Sequence, residues 1–175
     1  MNWPEEIVKL VIVKQALAEV DSTGLFPFYL PGVAAEELSI GAVERHFETG
    51  IDKKYAGFLR YANGWRGVFQ SVDLFGTDDL LGSEKMVAAK EMLRYIDDGV
   101  IFSAGFSRED LLPIAASALD KDLFVIAKPG SASPGEVLWL AGDLVDRFES
   151  FDEFFLSMVD YNRADVSFLR ENPQS

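Results

Sequence analysis

Side chains able to do chemistry are few in this chain and widely spaced. The lone histidine, His46, sits beside Phe47 and away from any second ligand. Acid–base and metal chemistry both need partners, so His46 reads as an ordinary half-exposed side chain. Two acidic doublets, Asp78-Asp79 and Asp97-Asp98, offer paired carboxylates. Their spacing lacks the alternating oxygen ligands of a calcium loop, and aspartate at helix starts and turns has a local explanation. No cysteine is present, which removes disulfides, thiolate metal sites and cysteine nucleophiles together. The serines of GSASPG form no nucleophile elbow, and no Gly-Lys-Ser/Thr phosphate cradle occurs. These residues predict no catalytic centre, no cofactor and no metal site. The expectation is a domain that binds and is not an enzyme.

The elements that would carry such a binding surface can be read from periodicity and caps. Residues 4–20 predict a helix, with Pro4 at its first position and Glu5 and Glu6 at its positive end, although the run LVIV also suits a strand. A loop over residues 24–32 follows. Ser39 is the expected N-cap of a second helix burying Val43 and Phe47, and Gly50 its end. Asp52 should cap a third, whose Tyr55, Phe58, Leu59 and Ala62 recur at i, i+3, i+4 and i+7. Asn63-Gly64 then stops it, since both residues tolerate the left-handed conformation. Alternation over residues 65–72 predicts one strand, and Thr77 or Asp78 the cap of a short helical turn.

Residues 84–96 predict a longer helix with Ala88, Met92, Tyr95 and Ile96 on one face, followed by a turn at Asp97-Asp98-Gly99. Three β-rich runs come next, residues 100–104, 112–116 and 123–127, the last two joined as a hairpin by Asp120-Lys121-Asp122. The segment KPGSASPG is a loop before a further strand at residues 136–140. Ser150 and Glu153 form a capping box, behind which Phe151, Phe154, Phe155, Met158 and Val159 define a wide apolar stripe.

Composition bounds the answer. At 175 residues, 49% apolar and 13% aromatic, the chain reads as one domain over residues 1–175 with a substantial core. The net charge is −13, spread as about −3, −5 and −5 over the thirds divided at residues 60 and 120. A surface this negative repels nucleic acid and anionic membrane and steers basic proteins towards it. Basic residues are dispersed, which also argues against nucleic acid. The first residues, Met-Asn-Trp-Pro-Glu-Glu, lack the basic start of a signal peptide, and the early apolar run at residues 10–13 is too short to span a bilayer. A cytoplasmic protein is expected.

The order of these elements carries a resemblance. Glu44, Tyr55, Phe58-Leu59, Asn63-Gly64, Trp65 and Phe75-Gly76 fall in sequence, followed by Leu112-Pro113-Ile114-Ala115, Gly135-Glu136-Val137 and the closing Ser150-Phe151 with Phe154-Phe155-Leu156. Over roughly residues 35–160 this resembles the SUKH superfamily, which includes yeast cell-wall-assembly regulators and bacterial immunity proteins that bind and silence toxins. Two departures stand out. Asp52-Lys53-Lys54 replaces the usual proline before the tyrosine helix, and residues 82–99 hold a longer helical insertion.

The expected fold class is α+β: one twisted, mostly antiparallel sheet of about five or six strands flanked by helices. The resemblance implies an immunity-type inhibitor of a toxin domain, often a basic nuclease, or else an adaptor of the cell-wall-regulator kind acting on an endogenous protein. For the inhibitor, Asp73, Asp78, Asp79, Asp97 and Asp98 are the expected partner contacts, because they lie in segments between the recognisable elements.

Overall fold

The computed structural model describes residues 1–172. Its order is α1 (Trp3–Val20), α2 (Glu37–His46), α3 (Lys53–Leu59), β1 (Trp65–Phe69), β2 (Val72–Leu74), α4 (Thr77–Leu80), α5 (Glu84–Tyr95) and α6 (Asp98–Ser103). Then come β3 (Leu111–Ser117), β4 (Leu123–Ala127), β5 (Val137–Leu140), β6 (Leu144–Phe148) and α7 (Phe151–Glu171). The six strands form one antiparallel sheet in sequential order, β1 to β6. This is the expected α+β class, with a sheet flanked by helices.

Both faces of the central strands are covered. All five residues of β4 are buried, although successive side chains point to opposite faces. Phe124 meets Phe154 of α7, with ring centroids 5.2 Å apart. The alternate set faces the other way, where α5 packs on β3 and β4. Such strands read as continuous apolar runs for this reason. Pro113 sits inside β3, where it cannot donate to the ladder, and the pairing with β4 shifts register between Pro113 and Ala115.

The aromatic stripe of α7 forms the main core with α1 and α3. Trp3 contacts Phe58, Phe151 and Phe155 at centroid distances of 5.3, 5.7 and 5.4 Å. Such pairs contribute about 0.5–1.5 kcal/mol each beyond their area. The cap of α7 is as expected in its first half: Ser150 Oγ accepts from the Glu153 N–H. The Glu153 carboxylate, however, accepts from the N–H of Glu149, one residue before the cap. In α3, Asp52 accepts from the N–H groups of Lys54 and Tyr55, both at 2.9 Å, and Tyr55, Phe58, Leu59 and Ala62 are all buried.

Several local expectations are corrected. Residues 65–72 form a hairpin and not one strand: β1 and β2 turn at Gln70, a non-glycine residue at φ +45°. Residues 100–103 are helical, belonging to α6 with Ala104 as its C-cap, because Asp97 accepts from the Gly99 N–H at 2.7 Å and nucleates a turn that overrides β-branched propensity. The triplet Asp97-Asp98-Gly99 thus starts a helix and is no turn between a helix and a strand. The α2 helix begins three residues early, at Glu37 with Glu36 as N-cap, leaving Ser39 inside it.

The buried face of α5 is Met86, Ala89 and Leu93, with Ile96 beyond its end, while Ala88 and Tyr95 are exposed. Gly76 occupies the N-cap of α4, in place of Thr77 or Asp78. The edge strand β6 had no expectation at all.

The Asn63-Gly64 stop works by division of labour. Gly64 takes the left-handed conformation at φ +81°. Asn63 instead uses its side chain, accepting from the Thr77 N–H at 2.7 Å and donating to Thr77 Oγ1 at 3.0 Å. It ties the end of α3 to the start of α4.

Candidate functional site

The five aspartates do not converge. Asp73 on β2 accepts from the Gly67 N–H at 2.8 Å and pairs with Lys85 at 2.8 Å. Asp79 accepts from the Gly76 N–H at 3.1 Å and from Ser83 Oγ at 2.8 Å, holding α4 against the start of α5. Asp78 is exposed in the first turn of α4. Asp97 caps α6, and Asp98 forms an ion pair with Arg108. The twelve residues of α5 lie between the two acidic doublets, a helix about 18 Å long. His46 is exposed, edge-on to Phe47 at 4.9 Å. Among the described residues no group of three His, Cys, Asp or Glu could hold a metal ion.

What does converge lies on either side of the β1–β2 hairpin. On one side is a groove of about 290 Å³ whose lining includes Leu25, Tyr29, Arg66, Asp73 and Leu119. The Arg66 guanidinium lies 4.3 Å from the Tyr29 ring centroid, and Trp65 Nε1 donates to the Tyr29 carbonyl at 3.0 Å. These contacts pin the long loop after α1 across the hairpin. Serines fix the other wall: Ser71 Oγ and Ser117 Oγ are 2.7 Å apart, and Ser71 donates to Asp120 at 2.8 Å. Ser117 Oγ also accepts from the N–H groups of Leu119 and Asp120. Leu25 and Leu119 remain 65% and 85% exposed at the rim.

On the other side is a cavity of about 270 Å³, lined by Phe69 of β1, Trp139 of β5, Val145 and Asp146 of β6, and Tyr161, Ala164 and Asp165 of α7. The three rings meet pairwise at 5.6–5.9 Å with planes inclined by 48–80°. Phe124 stacks on Trp139 at 5.1 Å and 25°, and Trp139 Nε1 donates to Asp122 at 2.7 Å, so the indole is held in place. Tyr161 donates its hydroxyl to Asp146 at 2.7 Å. Burial, with the bond to Asp146 and its charge, pushes the phenol up to about 12.

Gln70 joins the two sides. It lines the groove, and its side chain lies close enough to Asp165 to act on that carboxyl. A non-glycine residue held at positive φ is the kind of backbone feature that surrounding contacts must maintain. Burial raises the Asp165 carboxyl, while Gln70 and the charge of Lys14 pull it back down. Its Oδ2 is buried without a hydrogen-bond partner among the described residues. Lys14 on α1 is only 1% exposed, and burial lowers it to about 8 against the opposing pull of Asp165. Asn162, fully buried, donates to the carbonyls of Val68 and Met158 at 3.0 and 2.7 Å and so clamps α7 to β1.

These observations define the class: an α+β domain built on a sequential six-stranded antiparallel sheet, carrying an aromatic and acidic recess. No protein-family model matches the chain, and no curated protein matches it. No helix among the described residues is long and apolar enough to cross a membrane.

Of the five aspartates singled out in the sequence, Asp73 alone lines either recess, and the sequence marks none of the other lining residues as contacts. Tyr161 and Asp165 are spaced i, i+4 on α7, the one signal that could have paired them. Phe69, Trp139 and Asp146 come from three strands, and no local pattern joins them.

Proposed function

We propose that the chain is a protein-binding domain that makes and breaks no covalent bonds, and that its partner is a basic toxin domain, of nuclease type, which it silences in the manner of an immunity protein. The observation that carries this reading is the groove beside the β1–β2 hairpin. There the exposed Leu25 and Leu119 stand next to Asp73 and the Ser71–Asp120 pair. An apolar patch with charged groups at its rim suits a protein partner: the leucines exclude water, while Asp73, paired with Lys85, and Asp120 offer acceptors beside Arg66. The charge of −13 adds long-range attraction, which raises the rate of encounter. The resemblance to the SUKH superfamily supports the same reading, and nuclease–immunity pairs reach the extreme of non-covalent affinity. The cytoplasm, where such inhibitors meet incoming toxins, is the proposed site of action.

The test is retrieval of the partner from the native organism, followed by kinetics with the purified pair. A basic protein whose toxicity is suppressed by co-expression is expected. Its association should slow steeply with salt, and Leu119→Asp should weaken the complex. A partner that is harmless when expressed alone would favour the regulator of endogenous proteins instead. Binding indifferent to salt and to Leu119→Asp would overturn the use of this surface.

A further inference from the structure

We infer that the cavity between α7, β1 and the β5–β6 pair is a receptor for one arginine side chain presented by the protein partner. The inference rests on the reading of the domain as a receptor for a basic protein. Three features of the recess point to the same ligand chemistry.

The first is its walls. Phe69, Trp139 and Tyr161 are mutually inclined and do not form a single parallel stack. Aromatic surfaces attract cations through the ring quadrupole, and a planar guanidinium also stacks on them. The second is its charge. Asp146 enters from β6 and Asp165 from α7, so carboxylates stand on two different walls. Asp146 already accepts from Tyr161 and from the Arg147 N–H, one bond to each oxygen, which leaves each a second lone pair. Asp165 lines the other wall with its Oδ2 buried and without a hydrogen-bond partner among the described residues, so it acts on the recess chiefly through its charge. A guanidinium brings five donors in a fixed fork, enough to bond Asp146 while its charge faces Asp165.

The third feature is size. At about 270 Å³ the cavity falls just below the usual range of about 300–1,000 Å³ for pockets that take drug-sized ligands. It has room for a side chain whose methylene stem lies along Val145 and Ala164 while its head meets the acids. Among the described residues Lys14 is the cation that acts on Asp165, and it comes from α1 and is not part of the cavity lining. The recess therefore retains an unsatisfied preference for positive charge.

The experiment is a titration of the full chain followed by its tryptophan indole N–H signals in NMR, with the Trp139 signal assigned by its loss in Trp139→Phe. The probes are Nα-acetyl-arginine amide, its neutral isostere Nα-acetyl-citrulline amide, and choline. Arginine amide should shift the Trp139 signal saturably, with citrulline amide at least about tenfold weaker. Asp146→Asn and Asp165→Asn should each weaken the arginine probe by about tenfold, while their spectra keep native dispersion. Equal binding of citrulline amide, or a non-saturable shift, would overturn the assignment. Tighter binding of choline than of arginine amide would also overturn it, by giving the cavity to a free ammonium ligand. A chain that ignores arginine amide yet holds its basic partner through Leu119 loses this inference alone. One that binds the probe but retains no basic protein loses only the functional reading.

Discussion

Tyr161 on α7 and Asp146 on the edge strand β6 are joined by a 2.7 Å hydrogen bond in which the phenol is the donor. The pair holds the last strand of the sheet to the last helix and closes one side of the aromatic cavity. Because the folded phenol titrates near 12, above its unfolded value of 10.0, the unfolded chain loses this proton first. Stability is therefore complete below pH 10 and falls as pH rises towards 12. Tyr55, which is fully buried and also shifted upward, acts in the same direction. Denaturant melts across this range should show a shallower decline for Tyr161→Phe than for the natural chain.

Asn162 should be the costliest polar side chain to remove. Its amide satisfies the Val68 and Met158 carbonyls inside the core. Truncation to Ala leaves a cavity and strands the Val68 carbonyl, for a loss of about 3 kcal/mol. Equilibrium urea unfolding measures this. A change below about 0.5 kcal/mol, the scale of ordinary surface substitutions, would mean the clamp is not where α7 is held.

Two glycines separate backbone geometry from close packing. Gly64 and Gly82 both have positive φ, but a Cβ on Gly64 would lie 2.7 Å from the Gly76 nitrogen and 2.9 Å from the Leu74 carbonyl oxygen. Around Gly82 there is open space. Gly82→Ala should cost about 1–2 kcal/mol, the conformational term alone. Gly64→Ala should exceed that by about 2 kcal/mol, since backbone cannot give way. Equal thermal shifts in the two variants would remove the close approach of α3's end to β2 as a determinant of the fold.

Lys14 makes stability depend on pH in the opposite sense to Tyr161. Its folded value near 8 lies below the unfolded 10.5, so between those limits the unfolded chain binds more protons. Stability then rises with pH across the window, by about 3 kcal/mol at most. Among the described residues, Asp165 from α7 is the charged group that acts on it. Lys14→Met should flatten the rise between pH 8 and 10.5. If the slope survives the substitution, Lys14 is not its source.

The parts of this fold that could be read in the chain are those decided within a few residues. Asp52 capping α3, Ser150 capping α7, and the β3–β4 hairpin at Asp120-Lys121-Asp122 all follow from turn and cap chemistry close to each element. The apolar stripes of α3 and α7 were legible because helical spacing puts them on one face whatever the partner. Residues 100–104 misled because Val100, Ile101 and Phe102 have strand propensity, while the cap at Asp97 and the burial of Ile101 select a helix. Phe102, left 82% exposed, shows how little of that run is core.

The chain by itself thus determined an acidic, cysteine-free α+β domain with a large aromatic core. Only the tertiary structure decided which acids share a recess. Asp78 and Asp97, prominent in the sequence, end on separate ends of α5, whereas Asp146 and Asp165 are brought beside Trp139 by the pairing of β5 with β6 and the docking of α7. Strand register and helix packing arise from contacts far apart along the chain. A recess assembled from four such elements has no local spacing to betray it.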